Sequence, residues 1–108
     1  MKYLSRPEEF LLLTLWKMDE EPYGVNIRSF LSKITGKYWS IGSVYVPLDR
    51  LEAKGFVQSY LAGPIPERGG KAKRYYKITD AGMEQLQEIQ KVHSKFWENI
   101  PDLSSYKG

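Results

Sequence analysis

The side chains best placed to do chemistry in this 108-residue chain are cations rather than nucleophiles. Arg68, Lys71, Lys73 and Arg74 crowd around Gly69-Gly70. A connection of that length has no packing need for them. Residues 37–79 carry eight Lys and Arg against three Asp and Glu, while residues 1–36 carry five against five and residues 80–108 three against five. The net charge of +3 therefore hides a strongly basic middle segment, the mark of a local polyanion-binding surface. Cations that neutralise several phosphates release condensed counterions, so binding through them should weaken steeply with salt. The Gly69-Gly70-Lys71 run is not a nucleotide phosphate loop, because Ile65 and Ala72 occupy the positions where that motif needs Gly and Ser or Thr. Upstream, the hydroxyls of Ser40, Ser43 and Tyr45 gather at a helix start, where free backbone N–H groups also suit phosphate oxygens. Arg50 either reaches a phosphate or pairs with Asp49 or Glu52 on a solvated face.

Other chemistry is thinly supplied. The chain has no cysteine, which excludes disulfides, thiolate metal sites and cysteine nucleophiles. His93 is the single histidine and lacks obvious metal partners, so no metal or cofactor is expected; it could titrate at a dimer seam, though packing suits it better. No nucleophile, base and orienting group can be assembled around it, and only a carboxylate site stays open, so the sequence reads as a non-enzyme. The N-terminus opens into a helix signal rather than a signal peptide, and no apolar run would span a membrane. A cytoplasmic protein without membrane partners is the expectation.

The elements that position these residues can be read from caps and periodicity. Ser5-Arg6-Pro7-Glu8 has the form of a capping box. The near-continuous Phe10, Leu11, Leu12, Leu13, Leu15 and Trp16 predict a first helix, to about Met18, buried on more than one side, with Trp16 in the core and Trp39 at its edge. A second helix should run from Tyr23-Gly24 to a Gly36 cap. A third, capped by Ser40 or Ser43 and ended by Gly55, aligns Val44, Leu48 and Leu51 on one face. Pro47 is tolerable there because it lies near the helix start. Phe56 to Leu61 and Tyr75 to Ile78 read as strands, joined by a Gly- and Pro-rich exposed loop. Thr79 should cap a last helix from Asp80 to about Asn99, with a frayed tail after Pro101.

Three helices, a two-stranded hairpin and a fourth helix give a mainly α (α+β) winged helix-turn-helix, in which the third helix enters the major groove of double-stranded DNA and the hairpin reaches the flanking backbone. Residues 1–79 form the DNA-binding region and 80–108 a C-terminal dimerisation helix and tail, within one compact domain. The last helix carries Met83, Leu86, Gln90, His93, Trp97 and Ile100 at helical spacing, widened by Ile89 and Phe96. One domain core cannot cover so wide a stripe, so a homodimer is expected. Two copies would present two recognition helices to half-sites about 34 Å apart.

Tyr23-Gly24, Gly42-Ser43-Val44-Tyr45, Leu48-Asp49-Arg50-Leu51-Glu52-Ala53-Lys54-Gly55 and the run from Arg68 to Gly82 resemble the PadR family of bacterial transcriptional regulators, from about Leu4 to Trp97. There is one departure: the family often has Pro directly after the Tyr of the third helix, whereas here Val46 intervenes before Pro47. The resemblance implies a dimeric repressor on a pseudo-palindromic operator, carries Ser43 and Tyr45 over as DNA-facing, and places Trp97, with Phe96 and first-helix residues as walls, at a pocket for a small aromatic or drug-like effector. Two other readings stand beside it: a sensor whose ligand at Trp97 loosens DNA binding, and a winged-helix module that binds protein.

Overall fold

The computed structural model describes residues 3–63 and 73–106. Four helices, α1 (Arg6–Lys17), α2 (Gly24–Thr35), α3 (Ile41–Ala53) and α4 (Asp80–Trp97), surround the antiparallel hairpin β1 (Val57–Ala62) and β2 (Lys73–Ile78). The order confirms the winged helix-turn-helix class, and each cap has a local chemical cause. Ser5 Oγ accepts from the Glu8 N–H while Glu8 Oε1 accepts from the Ser5 N–H, closing the capping box that starts α1. Gly36 ends α2 in the left-handed conformation (φ 68°). Thr79 Oγ1 accepts from the Gly82 N–H and donates to the Gly55 carbonyl, so one hydroxyl caps α4 and ties it to the turn after α3.

The core is where α1, α2, α3 and the hairpin meet. Leu11, Leu12, Ile27, Leu31, Val44, Leu48, Leu51, Val57 and Tyr76 are completely or almost completely buried. Burial pushes the Tyr76 phenol up to about 12, and the neighbouring Tyr45 and Asp49 push the same way. α1 lies between α3 and α4, and the ion pair Lys54–Glu8 (2.6 Å) joins the end of α3 to the start of α1. Burial alone would raise the Glu8 pKa. The Lys54 ammonium and the Ser5 backbone and hydroxyl overcome that penalty and hold the carboxyl below its ordinary value of 4.5.

Three expectations change. Trp16 is 60% exposed and Leu13 also faces outward, so α1 buries one side only and Trp16 is not a core residue. The strands extend further than expected, to Ala62 and back to Lys73, because pairing continues through Leu61↔Arg74 and Ala62↔Lys73. The helical part of α4 stops at Trp97, where Asn99 turns to positive φ (61°). Beyond Pro101, a short 3-10 turn at Leu103–Ser105 is capped by Asp102, whose carboxylate accepts from the Ser104 N–H. The molecule is elongated, 58 × 31 × 23 Å.

Candidate nucleic-acid interface

The start of α3 is built from serine chemistry. Ser40 Oγ accepts from the Ser43 N–H at 3.1 Å, and Ser43 Oγ donates to the Ser40 carbonyl at 2.7 Å. Ser40 is therefore the cap, and both hydroxyls sit in the first turn. α3 buries Val44, Pro47, Leu48 and Leu51, which leaves Ile41, Gly42, Val46, Asp49 and Arg50 exposed. Arg50 is thus available to a ligand. Ile41 and Val46 were not among the expected site residues, because apolar residues in a helix read as packing. Their signal was positional: both fall off the Val44–Leu48–Leu51 stripe. Exposed methyl groups there suit the thymine C5-methyl in a major groove. Gly42 has nothing within 4 Å of where a Cβ would stand. Glycine inside a helix costs roughly 0.5–1 kcal/mol relative to alanine, and no internal contact calls for it, so the open space fits close approach from outside.

Tyr45 goes the other way. Its ring lies over the start of α2, so close that a Cβ on Gly24 would collide with the phenol, and it meets Tyr76 at 6.4 Å between ring centroids. Tyr45, expected to face DNA, is half-buried and packs inward here, with Gly24 leaving room for its ring.

At the base of the wing two cations are held in place. Lys73 Nζ sits 4.4 Å from the Tyr23 ring centroid, a cation–π contact. Tyr23 also meets Tyr75 edge-on, and Tyr75 stacks on Tyr60 across the hairpin, each at 5.7 Å. Arg74 Nη1 donates to Ser59 Oγ at 3.0 Å. Arg68 and Lys71 lie outside the described residues. Lys54, one of the eight cations of the basic segment, is paired with Glu8, which offsets its charge. Among the described residues no group of His, Asp or Glu side chains is gathered to hold a metal.

An outward-facing helix with a polar start, tied through its C-terminal end to a basic hairpin, is the geometry of a DNA-reading winged helix. The family model for the transcriptional regulator PadR-like family matches residues 12–88. The chain belongs to the PadR-like family. A PadR-like transcriptional regulator is a DNA-binding protein and not an enzyme. Among solved structures, a PadR-like transcriptional regulator from Bacillus cereus is 27% identical, with TM-score 0.71, over 93% of this chain and 92% of that one. A PadR family regulator from Clostridium difficile is 25% identical with TM-score 0.65, over 85% and 90% of the two chains. A PadR-like transcription factor from Bacteroides fragilis shares the fold at 23% identity and TM-score 0.71, covering 84% of this chain and 82% of that one. No curated protein sequence matches the chain.

The α4 stripe of this PadR-like regulator divides along the helix. Leu86 and Ile89 are buried in the chain's own core and Met83 packs against it, which corrects their assignment to a dimer surface. Beyond them, Gln90, Phe96, Trp97 and Ile100 face solvent. His93 is half-buried against α1, 3.5 Å from Glu9 Oε1. Phe96 and Trp97 do not enclose a pocket within one chain. Among the described residues a large concave site lies elsewhere: an apolar groove of about 1160 Å³ between α1 and α2, walled by Phe10, Trp16, Phe30, Ile34, Tyr38 and Trp39, and reaching Ser43 at the start of α3. Trp39 forms its edge, with its indole N–H donated to Thr35 Oγ1 and its ring edge-on to Phe10. Among the described residues no helix is long and apolar enough to cross a membrane.

Proposed function

We propose that this PadR-like regulator acts as a dimeric repressor that lays α3 into the major groove of a pseudo-palindromic operator and closes the wing on the flanking phosphates. Ser40, Ser43 and Arg50 serve α3, and Arg68, Lys71, Lys73 and Arg74 serve the wing. One observation carries the reading: the C-terminal end of α3 is joined to the wing cation Arg74 through Glu52 and Ser59, while Lys73 is held over the Tyr23 ring on the other face of the hairpin. The second copy is argued from exposure. Phe96 (74%), Trp97 (58%) and Ile100 (46%) remain in water at the far end of α4, a cost that a partner surface would remove. The double substitution Lys73→Gln/Arg74→Gln tests the wing. If both cations touch phosphate, the slope of log affinity against log salt becomes shallower by roughly 1.8. An unchanged slope would remove these two residues from the interface.

A second reading, a regulator responsive to a small planar aromatic molecule, is favoured by the aromatic groove between α1 and α2 rather than by Trp97. Such a ligand can shift DNA binding only if its affinity differs between the free and DNA-bound states. Titrating planar phenolic or cationic aromatics should quench the fluorescence of Trp16 and Trp39, and DNA should alter the apparent affinity. Quenching that ignores DNA would leave the groove a binding site without a regulatory role.

A further inference from the structure

Glu52 stands next to last in α3, on the surface proposed to meet a polyanion. On charge alone it should repel phosphate and weaken binding. Its carboxylate is nevertheless engaged in a specific way. Glu52 Oε2 accepts from the Ser59 backbone N–H at 3.0 Å and from the Ser59 hydroxyl at 2.8 Å. The same hydroxyl accepts from Arg74 Nη1 at 3.0 Å.

The order of these bonds fixes their polarity. In the hairpin Ser59 faces Tyr76, and this pair sends its N–H groups outward: Tyr76 to the Pro22 carbonyl and Ser59 to Glu52. Glu52 thus satisfies the free edge of β1 at this position. A serine hydroxyl has a single proton, and here it is given to Glu52. Only lone pairs then point to Arg74, whose guanidinium can only donate. Among the described residues Arg74 makes no direct ion pair with Glu52, so its remaining N–H groups stay available to an outside anion.

We infer that Glu52 and Ser59 are positioning residues for DNA binding: the carboxylate of α3 orients the Ser59 hydroxyl, which aims Arg74 at the phosphate backbone. The inference rests on the DNA-binding reading of α3 and the wing. It reverses the sign expected from charge. A carboxylate that only repels would be better removed, whereas a carboxylate that preorganises Arg74 is needed.

The test uses the full chain, duplex DNA from the region upstream of its own gene, and fluorescence anisotropy. Glu52→Ala and Glu52→Gln remove the same charge, but the glutamine amide oxygen can still accept from Ser59. Glu52→Ala should bind roughly three- to tenfold more weakly than Glu52→Gln, about the worth of one net hydrogen bond. Ser59→Ala should show a similar loss and Ser59→Thr, which keeps the hydroxyl, should restore it. In an Arg74→Gln background the difference between Glu52→Ala and Glu52→Gln should vanish, as residues acting through one partner are non-additive. Equal tightening by both Glu52 variants, or a difference between them that persists without Arg74, would overturn the inference while leaving the wing reading intact, provided Arg74→Gln itself weakens binding. If Arg74→Gln leaves affinity unchanged, the wing reading falls and the inference falls with it.

Discussion

The α3–wing end of the molecule and the outer face formed by α1 and the far half of α4 leave residues in water for opposite reasons. At the α3–wing end the exposed apolar residues Ile41 and Val46 stand among polar groups, several of which are already held: Ser43 by Ser40, Arg74 by Ser59, and Lys73 by the Tyr23 ring. Along α1, the far half of α4 and the tail, large apolar groups are exposed, with Trp16, Phe96, Trp97, Ile100, Leu103 and Tyr106 all more than two-fifths exposed. Held polar groups have met their ordering cost before a ligand arrives, which favours binding a rigid, charged partner. Apolar groups left in water carry a penalty that only another surface can relieve. Under the proposed function, the first surface meets a polyanion and the second meets a partner copy or an aromatic molecule.

The largest expected effect falls on the core that both regions share. Leu48 is fully buried in α3, and Leu48→Ala should cost about 2–5 kcal/mol, read from the denaturant midpoint, with DNA binding lost only as the chain unfolds. A loss of DNA affinity with stability intact would mean that Leu48 shapes the reading surface directly. Next, Phe96→Ala/Trp97→Ala should weaken self-association at least tenfold, about 1.4 kcal/mol, by sedimentation. Far-UV circular dichroism should show the fold kept, since neither ring belongs to the core. Unchanged association would break the outer-face half of the comparison.

A smaller, pH-dependent effect concerns Glu8. Its folded pKa lies below the ordinary 4.5, so its contribution is fully present above that value and is lost as pH falls through the depressed folded pKa. The Glu8→Gln variant should therefore lose part of the acid sensitivity of the unfolding midpoint below about pH 4.5. An acid limb of unchanged steepness would assign that sensitivity to other carboxylates. The smallest effect sharpens the polar half. Gly42→Ala should raise stability by roughly 0.5–1 kcal/mol, since a Cβ meets nothing there, yet weaken DNA binding by crowding the approach to α3. A gain in stability with affinity unchanged would show that nothing approaches closely at that turn.

How much of this was legible in the sequence depends on the range of the interaction involved. Caps are local, so Ser5, Gly36 and Thr79 marked their helix boundaries correctly, and the turn chemistry around residues 62–73 marked the hairpin. Periodicity identified the buried face of α3 through Val44, Leu48 and Leu51. It could not say which element covers a face. The width of the α4 stripe was visible, but not that its first half belongs to the chain's own core. The continuous apolar run of α1 likewise gave no warning that Trp16 faces outward. Tyr45 turns inward because Gly24, a distant glycine, leaves room for its ring. Lys54 and Glu8, 46 residues apart, cancel a cation that the charge count had placed on the binding surface. The chain Glu52–Ser59–Arg74 spans three elements, and of its members only Arg74 stood out by type; Glu52 and Ser59 did not.

The central claim is that α3 and the wing form a sequence-reading DNA surface. Anisotropy with labelled duplex from the chain's own upstream region, against a scrambled duplex of the same composition at two salt concentrations, tests it most directly. The account predicts tighter binding to the native duplex and a steep fall of affinity with salt on both. Equal, weak binding to the two duplexes, insensitive to salt, would contradict it.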